Sequence, residues 1–89
     1  MIEVLYPDGM ILSLDRISFT EIQETVGGYV ELVTIRENGR ETQCCCNEDG
    51  RSLGLKYNAT ATERFRGKIN NGPGAVGVWV ILTGADLLD

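Results

Sequence analysis

The chain opens on a period of two. Ile2, Val4 and Tyr6 alternate with Glu3 and Leu5, and Met10, Leu12 and Leu14 alternate with Ile11 and Ser13. Such alternation is the signature of strands. Between the runs stands Pro7-Asp8-Gly9. Proline presets the first turn torsion, aspartate suits the second position and glycine accepts positive φ at the third. A three-residue loop with a glycine bulge follows. That loop opposes Tyr6 to Met10, Val4 to Leu12 and Ile2 to Leu14, and all six share one face. Residues 1–14 therefore read as a hairpin.

The period then changes. Ser18 and Glu21 form a capping-box pattern, with Thr20 and Gln23 as a second, frame-shifted one. Phe19, Ile22 and Val26 fall on one side at helical spacing, while Glu21, Gln23 and Glu24 face water. Gly27-Gly28 supplies a left-handed exit. A helix over 18–26 results.

A second hairpin spans 29–47 around Asn38-Gly39, the strongest short turn signal. Counting from the turn opposes Glu37 to Arg40, Arg36 to Glu41, Ile35 to Thr42 and Val33 to Cys44; the charged pairs are complementary. Cys44 and Cys46 share one face, and Cys45 takes the other with Leu32. Asn47-Glu48-Asp49-Gly50 is a turn, and Leu53–Tyr57 is extended or irregular. Asn58 is a good N-cap, with Thr60 and Glu63 as a further box, so 59–66 reads as a short helix with Phe65 inward. Residues 69–74 form a loop by composition. Val76–Leu82 is nearly continuous apolar sequence, which places a strand over 76–83 at the centre of the sheet, covered on both faces. Residues 84–89 read as a tail.

The order ββ-α-ββ-α-β predicts a single small α+β domain, a mixed sheet packed by one main helix. The same order occurs in the β-grasp, ubiquitin-like layout, an analogy of element order only.

Composition narrows the function classes. The 89 residues include 13 acidic, 8 basic and no histidine, for a net charge of −5. A domain of this size buries only about 60–65% of its unfolded surface. The charge balance argues against nonspecific nucleic-acid binding, which needs a basic face, and against docking on anionic lipid. No apolar run reaches membrane-spanning length, and Met1-Ile2-Glu3-Val4 does not open like a signal peptide. Three contiguous cysteines do not make a secreted disulfide framework, so the cytoplasm is the expected compartment.

Three blocks stand together: Val26-Gly27-Gly28-Tyr29-Val30-Glu31, Asn47-Glu48-Asp49-Gly50, and Gly54-Leu55 with Asn58 and Ala61-Thr62. In these blocks the chain resembles a family of small bacterial and phage proteins known as the domain of unknown function number 3846. The resemblance covers nearly the whole chain. Lys56 and Tyr57 depart from the family's proline and small residue, and the cysteine triplet stands where an aliphatic strand is common. The resemblance implies carriage on phages and other mobile elements. It implies no catalytic set and no cofactor.

The candidate chemistry is sparse. Three consecutive strand residues point to alternate faces, so Cys44, Cys45 and Cys46 cannot converge on one metal. No histidine is present to activate a thiol. Asn47-Glu48-Asp49-Gly50 lacks the spacing of a calcium loop, and Glu48 and Asp49 splay apart. Neither glycine pair fits a phosphate loop. Lys56, Arg64, Arg66 and Lys68 form the one local basic cluster. Its bland reading is a solvated face; its sharp reading is an anion or nucleotide site with Tyr57 for stacking and the loop at Asn70 and Asn71 closing over it. Trp79 is core, or else the centre of an interface.

The expectation is a non-enzymatic binding protein, an accessory or host-interaction protein of a phage or other mobile element. The alternative is a protein that sequesters a small anionic ligand or nucleotide signal as a homo-oligomer. The binding candidates are Asn47, Glu48, Lys56, Tyr57, Arg64, Arg66 and Lys68. No catalytic residue, metal, cofactor, nucleic acid or membrane is expected.

Overall fold

The structure is a computed structural model that describes residues 1–69, 72 and 74–88. Seven regular elements follow one another: β1 (Ile2–Leu5), β2 (Ile11–Leu14), α1 (Phe19–Val26), β3 (Val30–Glu37), β4 (Arg40–Asn47), α2 (Ala59–Arg64) and β5 (Trp79–Thr83), with a closing 3-10 turn at Gly84–Asp86. The five strands form one sheet in the order β2-β1-β5-β4-β3. The class is α+β, as the element order implies.

Both hairpins take the register expected of them. Ile2 opposes Leu14 and Val4 opposes Leu12. Val33 opposes Cys44, Arg36 opposes Glu41 and Glu37 opposes Arg40. Asn38 and Gly39 both adopt positive φ, 53° and 78°, as a tight two-residue hairpin loop demands.

The expected mixed sheet is corrected: every neighbouring pair runs antiparallel. β5 inserts between the two hairpins and runs antiparallel to both β1 and β4. The β-grasp analogy fails at the same place, because that layout needs a parallel pair formed by its first and last strands. Element order alone does not carry strand direction.

β5 is central, and it is buried on both faces because each face has its own cover. On one face Ile2, Val4, Cys45, Val80 and Leu82 pack against Ile22 and Val26 of α1. On the other, Leu5, Cys44, Cys46, Trp79 and Ile81 pack against Ala61, Phe65 and Ala75. The single main helix of the sequence reading is thus one of two covers. α2 and the loops around it supply the second. Trp79 is core: its ring lies 6.0 Å from that of Phe65, and its indole N–H donates to the Val76 carbonyl at 3.1 Å.

The capping box at Ser18 forms in the first of the two frames. Ser18 Oγ accepts from the Glu21 N–H at 3.1 Å, and Glu21 Oε1 accepts from the Ser18 N–H at 2.9 Å. These bonds, the backbone one foremost, hold the Glu21 carboxyl below its ordinary pKa. Phe19 does not join the buried face and is half exposed.

Two boundaries move, and the tail gains a place. α2 stops at Arg64 rather than 66, because the Arg66 N–H turns to the Glu63 carbonyl three residues back and the chain turns at Gly67. β5 starts at Trp79 rather than 76, since Val76 makes an isolated bridge to Tyr57 and Gly77 has φ +76°. The tail is docked: Leu87 and Leu88 pack on the α1 side of the sheet. Among the described residues, no helix is long and apolar enough to cross a membrane.

Candidate functional site

The basic cluster is drawn into ion pairs. Arg64 projects from α2 over the sheet, where its Nη1 lies 2.7 Å from Glu3 Oε1 and its Nη2 lies 3.4 Å from Glu37 Oε1. Burial works against its charge. Bonds to the two carboxylates outweigh that, and its pKa is raised. The guanidinium also sits 5.2 Å from the centre of the Phe65 ring. Lys68 Nζ reaches Glu37 Oε2 at 3.6 Å, and Arg66 pairs with Glu63 on the surface. Lys56 and Tyr57 are exposed. Tyr57 is held by its bridge to Val76. Arg64 and Lys68 meet at Glu37, and three of the four cations already face carboxylates. The loop residues Asn70 and Asn71, expected to close over this site, lie outside the described residues.

Asn47 and Glu48 are found elsewhere, at the end of β4. They border a cavity of about 190 Å³ whose walls include Glu31, Cys46, Arg51 and Trp79. Lys56, Tyr57, Arg64, Arg66 and Lys68 do not line it. The Asn47 side chain is already engaged: its Nδ2 donates to the Val26 carbonyl at 3.1 Å, and its Oδ1 accepts from the Asp49 N–H at 2.8 Å. It ties the exit of α1 to the end of β4. Glu31, Glu48 and Asp49 give the cavity an acidic bias, against Arg51, whose guanidinium donates to the Gly74 carbonyl.

The cysteines are inert at neutral pH. All three are free and buried. Burial pushes Cys44 and Cys46 up to about 12, with nearby Glu37 and Glu31 adding to it, and Cys45 to about 11. Among the described residues, no three cysteine, aspartate or glutamate side chains come together to hold a metal.

An exposed apolar feature lies on the return strand of the first hairpin, whose alternation the sequence reading used only to set the register. β2 is an edge strand, exposed along its whole length. Met10, Ile11, Leu12 and Leu14 are 50%, 51%, 40% and 37% exposed. The reason lies in where α1 sits: it packs over β3, β4 and β5 and leaves the β2 end of that face open. The opposite edge, β3, carries Glu31, Arg36 and Glu37. Charged residues on an edge strand guard it against pairing. β2, with sequence Ile-Leu-Ser-Leu, has no such guard. That missing charge was visible in the sequence, but the position of the strand at an edge was not.

No family model matches the chain, and neither the curated proteins nor the solved structures include a match.

Proposed function

We propose that this chain is a small, non-enzymatic binding protein that works by contact with another polypeptide. The observation that carries the reading is the unguarded edge strand β2, whose four residues are all exposed and none charged. Contiguous apolar surface on a small domain marks an interaction site, and a free strand edge offers ready-made backbone pairing. The block resemblance described above supports a role as an accessory protein of a phage or other mobile element, acting in the host cytoplasm. Three reduced, buried thiols accord with that compartment.

The alternative reading is a small-ligand protein. The cavity beside Asn47 and Glu48 is the specific observation in its favour. Its acidic bias suits a neutral or cationic guest better than the anion expected from the basic cluster.

Native mass spectrometry on protein purified gently from its own host separates the two. The polypeptide reading expects an added mass of protein size on the wild type, lost in Leu12→Glu. A small-molecule mass retained by Leu12→Glu overturns it and makes the cavity the first place to mutate.

A further inference from the structure

Resting on that reading, we infer that the strand which covers β2 is β2 of a second copy of this chain, forming a continuous ten-stranded antiparallel sheet across a two-fold axis at Leu12. The argument starts from backbone geometry. The first hairpin closes with the Tyr6 N–H donating to the Met10 carbonyl at 2.9 Å. Hydrogen-bonded and non-bonded pairs alternate along antiparallel strands. Met10, Leu12 and Leu14 therefore turn their backbone groups toward β1, while Ile11 and Ser13 turn theirs outward. A new antiparallel strand must present its own outward groups to these two residues. A second copy of β2 does so when Ile11 faces Ser13 of the second copy and Ser13 faces Ile11.

This register makes the side chains self-complementary. Leu12 meets Leu12 of the second copy at the axis, and Met10 meets Leu14 on either side of it. The face that α1 leaves open thus gains an unbroken apolar ladder, the unit that stabilises a strand pair. Shifting the pairing by two residues keeps the hydrogen bonding but opposes Ile11 to Asp15 in one direction and Leu14 to Asp8 in the other, and shortens the ladder either way. A foreign strand meets no such set of matches written into this sequence. An isologous interface of this kind needs one patch matched to itself, and β2 is such a patch.

A four-residue strand pair lies at the small end of interfaces, so the dimer should dissociate in the range of about 1–100 µM. Each copy carries a net charge of −5, so added salt should tighten the dimer by screening the repulsion.

The test is sedimentation of the full chain across that concentration range, for wild type, Leu12→Glu, Leu12→Lys and an equimolar mixture of the two variants. Leu12 lies on an exposed edge, so both variants should keep the wild-type circular dichroism. The wild type should reach dimer. Each variant alone should weaken association about 30-fold, since the like charges face each other across the axis and the leucine contact is lost. The mixture should recover a heterodimer. Oxidation of Leu12→Cys should link two copies while Ile11→Cys should not, because a non-bonded cross-strand pair has the Cα separation of about 4.5 Å that a disulfide accepts. A wild type that stays monomeric, or variants that dimerise as well as wild type, overturns self-pairing. If that monomer still carries a protein mass that Leu12→Glu loses, the polypeptide reading survives without self-pairing. If Leu12→Glu keeps whatever the wild type binds, both readings fall.

Discussion

The Asn58 side-chain amide donates to the backbone carbonyl of Leu5 at 2.9 Å, from a residue fully withdrawn from solvent. The same amide donates to the Gly77 carbonyl at 2.8 Å, and its oxygen accepts from the Ala61 N–H at 3.0 Å. One side chain thus caps α2, holds the end of β1 and fixes the approach to β5. Asn58→Ala removes three bonds and leaves buried backbone groups without partners, each costing about 1–3 kcal/mol. We expect a loss of about 3 kcal/mol or more, read from the urea midpoint. Asn58→Asp should not rescue it, because a carboxylate cannot donate to either carbonyl. A midpoint within experimental error of wild type would show that the amide is not the junction.

Arg64 and Arg66 should behave differently, although the sequence presents them as one cluster. Arg64 is partly shielded and bridges β1 to β3 through Glu3 and Glu37. Arg66 meets Glu63 in full solvent. Arg64→Ala should cost about 1–2 kcal/mol, allowing for the solvent screening its exposure brings, and losing its contact with the Phe65 ring as well. Arg66→Ala should leave the thermal midpoint unchanged. Equal effects in a thermal melt would mean that the pairing geometry does not separate the two.

The hairpins, the α1 cap and the central place of β5 were legible because each rests on local chemistry. Asn38-Gly39 sets its own register, and Ser18 with Glu21 announces a helix start. The antiparallel direction of β5 was not legible, since the chain from Arg64 to Trp79 could return on either side. The exposure of β2 was hidden for a related reason. Leu12 and Leu14 have the periodicity of core residues, and only the lateral placement of α1 leaves them open. For the candidate site, sequence proximity grouped Arg64, Arg66 and Lys68, but Glu3 and Glu37, the partners of Arg64 and Lys68, lie far away in the chain. Asn47 read as a turn residue, while its bond to the Val26 carbonyl depends on how α1 docks.

The buried thiols set an alkaline limit. Their folded pKa values, about 12, 11 and 12, stand above the unfolded value of 9.0. Between these values the unfolded chain releases protons that the folded chain retains. The thiol contribution to stability is therefore intact below about pH 9 and declines as pH rises toward 11–12. Guanidinium midpoints should fall steadily from pH 8.5 to 10, and less steeply in Cys44→Val. At pH 8 a thiol reagent should label the native protein no faster than it unfolds. Labelling of all three cysteines within seconds, without denaturant, would contradict their burial.

Gln43 makes the most specific claim about the end of the chain. Its Nε2 donates to the Leu88 carbonyl at 2.9 Å, and the Leu88 N–H donates to its Oε1 at 2.6 Å. This two-way pairing treats the tail as a short added strand, laid over β4 on the α1 face, with Leu87 and Leu88 against the core. The anchoring is local, so its loss should be local too. Gln43→Ala should weaken the docking of the tail by about 1–2 kcal/mol. It should raise the exchange rate of the Leu88 amide far more than that of Val80, which lies in the central strand. Gln43→Glu keeps the acceptor but puts a charge at a nearly buried position, so it should release the tail and destabilise the domain further. If the Leu88 amide exchanges at the wild-type rate in Gln43→Ala, the tail is held by its leucines alone and the glutamine is only packing.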